Sequence, residues 1–300
     1  MINIIITSYK EPKATLRAVK SFMSQKIKEE YKIVVVDPFP EVEDFLRSKI
    51  KSNKFEFFLD PGEGKSSALN TLIQMLYSEN KKDIFIFSDG DVYVSKDSVS
   101  EILDSFKDEK IGCATGKPVS VDSREDKYGY WASVLFSGID KTRKKFSKRE
   151  DFFECSGYLF AIRNGVIKEF PLETSEDSII PYLFWKKGYK IKYADKAEVY
   201  VKNPNNFEDW IKQKVRNIKA HENLNKIAPD MPRTKSFFNE INEGAFFAIR
   251  QPRNLKEFWW TIELYFARLY LYYRAFKELS KKSYKDGWRE EEINSTKPLD

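Results

Sequence analysis

The chain has 300 residues, of which 41% are hydrophobic and 15% aromatic, so it can bury a full core and is not a disordered chain. Its 52 basic and 46 acidic residues leave a net charge of +6, a mild and mixed balance from which we expect no nucleic-acid partner. The two cysteines, Cys113 and Cys155, do not have the spacing of a metal site and are typical of a reducing compartment.

The amino-terminal residues MINIIITSYK lack the basic start and the long apolar run of a signal peptide, and they predict a first strand instead. The sequence has no uncharged apolar run of about 18 residues, so we expect no transmembrane helix. Together these features predict a cytoplasmic protein.

The first half of the chain alternates predicted strands and helices. Apolar runs predict strands at residues 2–6, 31–36, 55–59 and 84–87, and helical spacing predicts helices from Pro12, over residues 42–50 and over 66–77. Strands and helices that alternate with short links indicate βαβ units and a doubly wound, mostly parallel sheet. The polar clusters follow strands, and we expect them to line one crevice at the carboxyl edge of that sheet: Thr7–Glu11, Asp37, Asp60–Lys65 and Asp89–Asp91.

The stretch DIFIFSDGD, residues 83–91, carries the most informative chemistry. Its four apolar residues predict a strand that is buried on both faces. Asp89 and Asp91 follow that strand one glycine apart, and two ionised acids repel each other there unless a cation lies between them. An Asp-Gly turn with exposed acids is the alternative for this motif taken alone.

The segment GEGKS at residues 62–66, followed by a predicted helix, is similar to a phosphate-binding P-loop. That loop needs a first glycine where this chain has Leu59, a strand residue, so the usual phosphate cradle cannot form. An NTPase therefore stays an alternative, and the simplest interpretation of Gly62 and Gly64 is a turn between strand and helix. The charge of Lys65 at the crevice still suits an anionic ligand.

The order of the motifs resembles that of the family 2 glycosyltransferases, which have the GT-A fold for nucleotide-diphosphosugars. The resemblance covers about residues 2–226. Pro38 departs from the second aspartate often seen after the base-binding one, and Asn217 departs from the tryptophan of processive members. The motifs that carry the resemblance are, in order, ITSYKEP, VVVDP, GEGKSSALN, SDGD, SGYLFAIRNG, SEDSII and QKVRNIKAH.

The resemblance implies a Rossmann-like GT-A α/β fold with a mostly parallel central sheet flanked by helices. A catalytic domain would span residues 1–231, with a donor half at 1–120 and a half for the acceptor and the base at 121–231. Residues 232–300 would form a helical extension with a polar tail. The implied activity is a metal-dependent, inverting, non-processive transfer of a sugar from a nucleotide-diphosphate donor. The expected donor is a UDP-sugar, and a GDP-sugar is the alternative. The acceptor would be a hydroxyl of a lipid-linked sugar or another glycan.

The same resemblance assigns the site residues. Asp177 would be the catalytic base, and Asp91 and His221 would hold Mn²⁺ or Mg²⁺. The sugar, the acceptor or the diphosphate would contact Gly157, Glu176, Gln213 and Arg216. The donor nucleotide would contact Thr7, Tyr9, Glu11, Asp37, Gly64, Lys65, Asp89 and Gly90.

The chemistry of the residue types bears on these roles. Asp91 can supply a carboxylate oxygen to a hard divalent cation that also holds a diphosphate. His221 is the single histidine of the chain and could equally be an ordinary surface or core histidine. Adjacent helical residues point about 100° apart, so only one of Glu176 and Asp177 can face the crevice squarely. A base there would take the proton of the acceptor hydroxyl, and direct attack would invert the anomeric carbon without a covalent intermediate.

Two stretches, residues 128–149 and 258–276, combine aromatic side chains with cations. Such stretches can lie at a membrane interface beside anionic head groups, and the alternative is that the aromatics join the core while the cations are solvated. Charged residues interrupt 258–276, which makes a membrane-spanning helix costly. An anionic membrane surface is therefore a candidate partner, with the protein held at the cytoplasmic face.

Two other classes of function stay open. A nucleotidyltransferase shares the acidic crevice, but it usually carries a glycine-rich basic loop after its first strand, where this chain has TSYKEP without glycine. A non-catalytic, membrane-associated adaptor would use the basic segment. Hydrolysis of a nucleotide-sugar donor would separate an enzyme from an adaptor.

Overall fold

The computed structural model describes residues 1–172, 174–232, 246–279 and 296, and most of the predicted polar tail lies outside them. A single helical turn, Phe246–Ala248, precedes the last helix. The strands are β1 (Ile2–Thr7), β2 (Tyr31–Asp37), β3 (Phe55–Leu59), β4 (Ile84–Asp89), β5 (Tyr93–Val94), β6 (Ile111–Ser120), β7 (Leu159–Arg163) and β8 (Lys190–Val201). The helices are α1 (Pro12–Met23), α2 (Pro40–Lys49), α3 (Lys65–Met75), α4 (Ser98–Ser105), α5 (Lys127–Arg149), α6 (Glu176–Lys186), α7 (Phe207–Ile227) and α8 (Leu255–Leu279).

The eight strands form one sheet with the order β3-β2-β1-β4-β7-β6-β8-β5. β1 pairs in parallel with β2 and β4, and β2 pairs in parallel with β3, as the alternation of strands and helices predicts. β7 runs antiparallel between β4 and β6, so the sheet is parallel in its first half and mixed in its second. The carboxyl ends of β1, β2 and β4 therefore meet at one edge of the sheet.

Helices cover both faces of the sheet, which is why every residue of β1 is buried. On one face, Ile4 packs in a cluster with Val19 of α1 and Leu46 of α2. On the other face, Ile5 packs in a cluster with Leu69 of α3. Side chains alternate between the two faces along a strand, so a continuous apolar run fills both cores.

The helix starts follow the local sequence. Pro12 and Pro40 lie in the first turns of α1 and α2, where the missing amide proton has no cost. α3 begins one residue earlier than predicted, at Lys65, directly after Gly64. Gly64 has a φ of 108°, which favours glycine. This turn places Lys65 at the carboxyl edge of the sheet.

Helices α5, α7 and α8 share an apolar cluster of their own, which includes Trp131 and Leu271. Arg124, in the loop before α5, forms an ion pair with Glu257 of α8 with an N–O distance of 2.8 Å. The described helix of the predicted carboxy-terminal extension is therefore packed against the rest of the protein through one of its faces.

The aromatic part of the 128–149 stretch belongs to this cluster, since Tyr130, Trp131 and Val134 are buried. Arg143, which the sequence places in a basic segment, is also buried, and its guanidinium donates to the carbonyl of Cys155 over 2.8 Å. Both alternatives for the cations of this segment, contact with lipid head groups and exposure to solvent, are wrong for Arg143, because the chain that leads into β7 runs along this side of α5.

None of the helices in residues 1–172, 174–232 and 246–279 combines the length and the apolar content that a bilayer crossing requires. α8 is 25 residues long, but Glu263, Arg268 and Arg274 interrupt its apolar sequence.

Candidate active site

The carboxyl ends of β1 and β4 place Thr7 and Asp89 side by side. The two residues are partners in the parallel register, and the Thr7 hydroxyl donates to Oδ1 of Asp89 over 3.1 Å. The same oxygen accepts a hydrogen bond of 2.8 Å from Nζ of Lys65 at the start of α3. Three segments that are separate in the sequence therefore converge on one carboxylate.

Lys65 also links β4 to α6. Its ammonium group lies 2.8 Å from Asp89 Oδ1 and 2.5 Å from Oε1 of the buried Glu176. Burial alone would lower the pKa of Lys65, but the charges of both acids outweigh burial and raise this pKa. Burial raises the pKa of Glu176, and the charge of Lys65 opposes that rise. Lys65 is therefore a fixed cation between two acidic elements.

Gly90 brings the end of β4 against the end of β1. Its amide donates to the Thr7 carbonyl over 2.7 Å. A Cβ at this position would lie 3.0 Å from Oγ1 of Thr15 and 3.1 Å from Cβ of Ser8, so a larger residue would push the two strand ends apart. This close approach explains the glycine of the Asp-Gly-Asp motif and sets the position of Asp91.

An open pocket of about 460 Å³, counting the solvent at its mouth, lies at this edge of the sheet. Two acids and two cations line it, an arrangement that can hold an anion together with a metal ion. The sequence predicted Asp89, Asp91, Gln213 and Arg216 as site residues, and the pocket brings these four together. Its full lining is Asp89, Asp91, Val92, Tyr158, Val201, Lys202, Gln213, Arg216 and Thr296.

Sequence reasoning missed Tyr158 and Lys202, which line the same pocket. Tyr158 directly precedes β7, and burial, followed by the charges of Asp91 and Asp89, raises the pKa of its phenol. A phenol that stays protonated can donate a hydrogen bond to a ligand. Lys202 directly follows β8. The signal for Tyr158 was its place inside the motif SGYLFAIRNG, whereas Lys202 had no motif of its own.

Asp177 is held in place by hydrogen bonds to both of its carboxylate oxygens. Oδ2 accepts the amide of Gly157 over 3.1 Å, and Oδ1 accepts the hydroxyl of Ser175 over 2.5 Å. Oδ1 also lies 3.5 Å from the hydroxyl of Ser178, whereas Oδ2 keeps a further lone pair for a ligand. The two acids in the first turn of α6 thus point in different directions. Glu176 contacts Lys65, and Asp177 contacts Gly157.

The other predicted nucleotide residues form a neighbouring corner at the ends of β1 and β2. Asp37 accepts the amides of Lys10 over 3.0 Å and Phe39 over 2.9 Å, and burial raises its pKa. Tyr9 packs edge-on against Phe39, with ring centroids 5.1 Å apart. Glu11 precedes α1 as its cap residue. Of the described residues, the lining of the Asp91 pocket includes none from this corner.

The loop that resembles a P-loop is a turn between β3 and α3. Gly62 and Gly64 have φ values of 86° and 108°, and Leu59 is the last residue of β3, as predicted. The phosphate cradle therefore lacks its first glycine, and Lys65 is held by acids of β4 and α6. This geometry disfavours the NTPase alternative.

His221 lies on α7 beyond Arg216, about 140° around the helix from it. Its Nε2 is 3.5 Å from Oε2 of Glu154, a buried carboxylate that also accepts the hydroxyl of Ser178 over 2.6 Å. Among the described residues, His221 does not line the pocket that contains Asp91. The pairing of His221 with Asp91 in a metal site therefore stays a prediction.

The residues at the pocket can supply some of the oxygen ligands that a divalent cation requires. Within the described ranges, no group of three or more His, Cys, Asp or Glu side chains forms a complete metal site. Mg²⁺ at a nucleotide site needs fewer protein ligands, since one or two carboxylates hold it together with substrate phosphates. Asp91 has a buried carboxylate oxygen, and Asp89 lines the same pocket. These residues fit a divalent cation that binds jointly with a diphosphate.

The sheet order, the Asp-Gly-Asp turn after β4 and the acidic first turn of α6 together define the GT-A class of α/β folds. A family model described as glycosyl transferase family 2 matches residues 3–170, more than half of the chain. The chain belongs to this family.

Similar proteins were found among curated sequences and solved structures. The poly-β-1,6-N-acetyl-D-glucosamine synthase of Staphylococcus aureus strain COL is 23% identical over 245 residues, which is 79% of this chain and 58% of the synthase. The chain thus spans just over half the length of the curated relatives it matches. The structure of GalNAc-T7 with UDP, GalNAc and Mn²⁺ has a TM-score of 0.51 and 16% identity, over 85% of this chain and 59% of that one. The structure of S. aureus TarS 1–349 with UDP-GlcNAc has a TM-score of 0.48 and 18% identity, and the match covers 94% of this chain and 92% of that one.

Proposed function

We propose that the protein is a metal-dependent, inverting glycosyltransferase that transfers single sugars from a UDP-sugar to an acceptor hydroxyl. One observation carries this proposal, the convergence of Asp89 and Asp91 with Gln213 and Arg216 in a pocket at the carboxyl edge of the sheet. Membership of glycosyl transferase family 2 supports it. The UDP and Mn²⁺ of the GalNAc-T7 structure support a UDP-sugar and a divalent cation, and the name of the similar synthase supports a sugar as the group that is transferred.

The pocket has the charges that a nucleotide diphosphate requires. Asp91 would hold the cation together with diphosphate oxygens, and the bound cation would neutralise charge on the departing UDP. Arg216 and Lys202 line the same pocket and would contact the diphosphate as cations. Asp89, which is fixed by Thr7 and Lys65, would accept hydrogen bonds from the ribose hydroxyls.

The neighbouring corner would bind the nucleobase. Asp37 is fixed by two backbone amides, and the Tyr9 ring lies beside it on Phe39. An aromatic face and a carboxylate acceptor are suitable partners for a uracil ring, which has a flat face and one N–H donor. The Asp91 pocket and the corner around Asp37 lie at the ends of neighbouring strands, so one nucleotide could contact both.

Asp177 would act as the general base. It would accept the proton of the acceptor hydroxyl while the oxygen attacks the anomeric carbon from the side opposite the diphosphate. The bond between that carbon and the diphosphate oxygen breaks, and its electron pair leaves with UDP, so a single displacement inverts the configuration. Glu176 would support the site electrostatically, because its carboxylate is already bound to Lys65.

The acceptor would be a lipid-linked sugar or another glycan, and each encounter would add one sugar. Asn217 supports this limit, because it stands where the processive members that the chain resembles have a tryptophan. It is an exposed residue of α7 directly after Arg216, so a bulky ring beside the pocket is missing at this position.

Product analysis tests the proposed reaction. The protein should be incubated with a panel of UDP- and GDP-sugars, Mn²⁺ and glycan acceptors, with mass spectrometry to identify products and NMR to assign the new anomeric centre. We expect UDP and an inverted glycoside, and no product after chelation of the metal. Release of pyrophosphate would indicate a nucleotidyltransferase, release of phosphate from a nucleoside triphosphate would indicate an NTPase, and an inert protein would favour the adaptor.

A further inference from the structure

The outer face of α8 is apolar along the whole helix. At about 100° per residue, its six most exposed large side chains fall within an arc of about 100°, over a length of roughly 30 Å. The opposite side of α8 is buried against α5 and α7 and includes Leu264 and Leu271. The outer face is defined here by Leu255, Trp259, Phe266, Leu269, Tyr273 and Phe276, which are 81%, 63%, 69%, 55%, 61% and 62% exposed.

This face differs from that of an ordinary surface helix, which presents polar residues opposite its buried stripe. Phe246 and Ile249, which precede α8 in the sequence, are also apolar and 73% and 53% exposed. Contiguous apolar surface of this extent indicates contact with a partner, because exposure to water is unfavourable for each of these side chains.

Cations border the outer face. Arg250, Arg253, Lys256 and Lys277 are exposed in residues 246–279. Within the same range Glu263 is the exposed acid, and its carboxylate lies 2.9 Å from the ammonium of Lys127. The partner is therefore expected to be apolar at its centre and anionic around it.

We propose that the outer face of α8 docks, parallel to the surface, into the interface of a lipid bilayer with anionic head groups. Tryptophan and tyrosine rings favour the boundary between acyl chains and head groups, and the bordering cations can reach lipid phosphates and carboxylates. The helix lies on the bilayer and does not cross it, because Glu263 and Arg274 would be costly at its centre.

A bilayer fits this face better than a second copy of the chain. A two-fold contact would place cations that border the face in one copy close to cations that border it in the other, since both copies present the same surface. Glu263 is already neutralised by Lys127 and could not balance that repulsion. Anionic head groups supply the missing charge, and the acyl region receives the rings.

The docking can be measured on the full chain without donor or metal, by flotation with vesicles. Vesicles of phosphatidylcholine containing roughly a third phosphatidylserine should carry the protein, neutral phosphatidylcholine vesicles should not, and salt should weaken the binding. Trp259→Gln with Phe266→Gln should weaken binding more than about tenfold. The matched control is Met75→Gln with Leu172→Gln, at remote side chains that are 64% and 54% exposed, and it should bind like the wild type.

A second variant probes the charges and keeps every apolar side chain of the outer face. Lys256→Ser with Lys277→Ser should weaken binding to the anionic vesicles by roughly tenfold or more, since each cation near the surface contributes. Melting curves establish that every variant is folded. A wild type that floats with no vesicle, or glutamine variants that float unchanged, would overturn the proposal. A lipid-free dimer that Trp259→Gln with Phe266→Gln converts to monomer would also overturn it, and would assign the face to self-association.

Discussion

The crevice at the carboxyl edge of the sheet buries charged side chains, whereas the outer face of α8 exposes apolar ones. In the crevice, Lys65 lies between Asp89 and Glu176, so each of these three charges has a partner of opposite sign. On α8, Trp259 and Phe266 remain 63% and 69% exposed. Both arrangements depart from the usual distribution of polar and apolar groups, and such departures concentrate at functional sites.

The difference lies in where the compensating partner is found. The crevice carries its partners within the chain, so the carboxylates are fixed before any ligand arrives, which favours precise positioning of a reacting group. We propose an external partner for the outer face of α8, whose side chains are largely exposed in the described protein and should therefore add little to folding. Substitutions in the crevice should therefore affect chemistry and stability, and substitutions on the outer face should affect attachment alone.

The largest effect is expected from Asp177→Asn. This change keeps the shape of the side chain and removes the base, so turnover should fall by roughly two to four orders of magnitude while the KM for the donor changes only a few-fold. Steady-state kinetics with a UDP-sugar provide the measurement, and Glu176→Gln serves as the comparison. Near-normal turnover of Asp177→Asn would move the base elsewhere, with Glu176 as the next candidate.

Lys65→Met should destabilise the protein by removing the cation that the acids of the crevice share. It leaves Asp89 and the buried Glu176 close together without their shared cation, which should lower the free energy of unfolding by about 3–5 kcal/mol. Trp259→Gln on the outer face of α8 is the contrast, with an expected change within about 0.5 kcal/mol. Urea unfolding of both variants tests the comparison directly. Equal losses in the two variants would show that the outer face supports folding as much as the crevice does.

The ion pair of Arg124 and Glu257 joins α8 to the rest of the fold and predicts a pH dependence. The hydrogen bond from Arg124 lowers the pKa of Glu257 below its usual 4.5, so its stabilising effect is present above that value and is lost as the pH falls through the lowered pKa. Glu257→Gln should cost about 1–2 kcal/mol at neutral pH. Thermal unfolding of both proteins over acidic pH should show this difference shrinking, and a difference that grows towards low pH would contradict the assignment.

His221→Gln is expected to have the smallest effect of these changes. The imidazole contacts Glu154, and neither residue is in the described lining of the Asp91 pocket, so its loss should leave Mn²⁺-dependent UDP binding nearly unchanged. Calorimetric titration of UDP with and without Mn²⁺ measures this. If the variant loses all metal dependence, His221 is a direct ligand, as the motif QKVRNIKAH suggests.

Local sequence patterns were sufficient for the parallel half of the sheet and for the acids at its edge. The run Ile84–Phe87 predicts a buried strand, and a parallel strand in an open sheet directs Asp89 and Asp91 to the ligand edge. The contact between Lys65 and Glu176 was not predictable in this way, because it depends on how α6 returns to the sheet. The position of Lys202 in the pocket was not predictable from local sequence either, because it depends on the pairing of β8 with β6.

The two aromatic helices illustrate a second limit. Periodicity indicates which side chains of α5 and α8 share a face, but it does not indicate whether another element covers that face. Tyr130 and Trp131 of α5 are covered by α7 and α8, whereas Trp259 of α8 is exposed. Similar compositions therefore have opposite environments, and only the tertiary packing distinguishes them.

The proposed reaction requires the crevice to bind a nucleotide diphosphate together with a divalent cation at Asp91. Calorimetric titration of UDP in the presence of Mn²⁺ and of a chelator, for the wild type and Asp91→Asn, measures this joint binding. Asp97→Asn is the matched control, since Asp97 is a nearby exposed acid that makes no capping hydrogen bond.

Mn²⁺ should tighten UDP binding to the wild type and to Asp97→Asn by at least about tenfold, because the cation offsets the charge of the diphosphate. Asp91→Asn should remain folded and lose this gain. UDP binding that does not respond to Mn²⁺ in the wild type would show that no cation binds jointly with the diphosphate, and a full response in Asp91→Asn would show that the cation binds elsewhere.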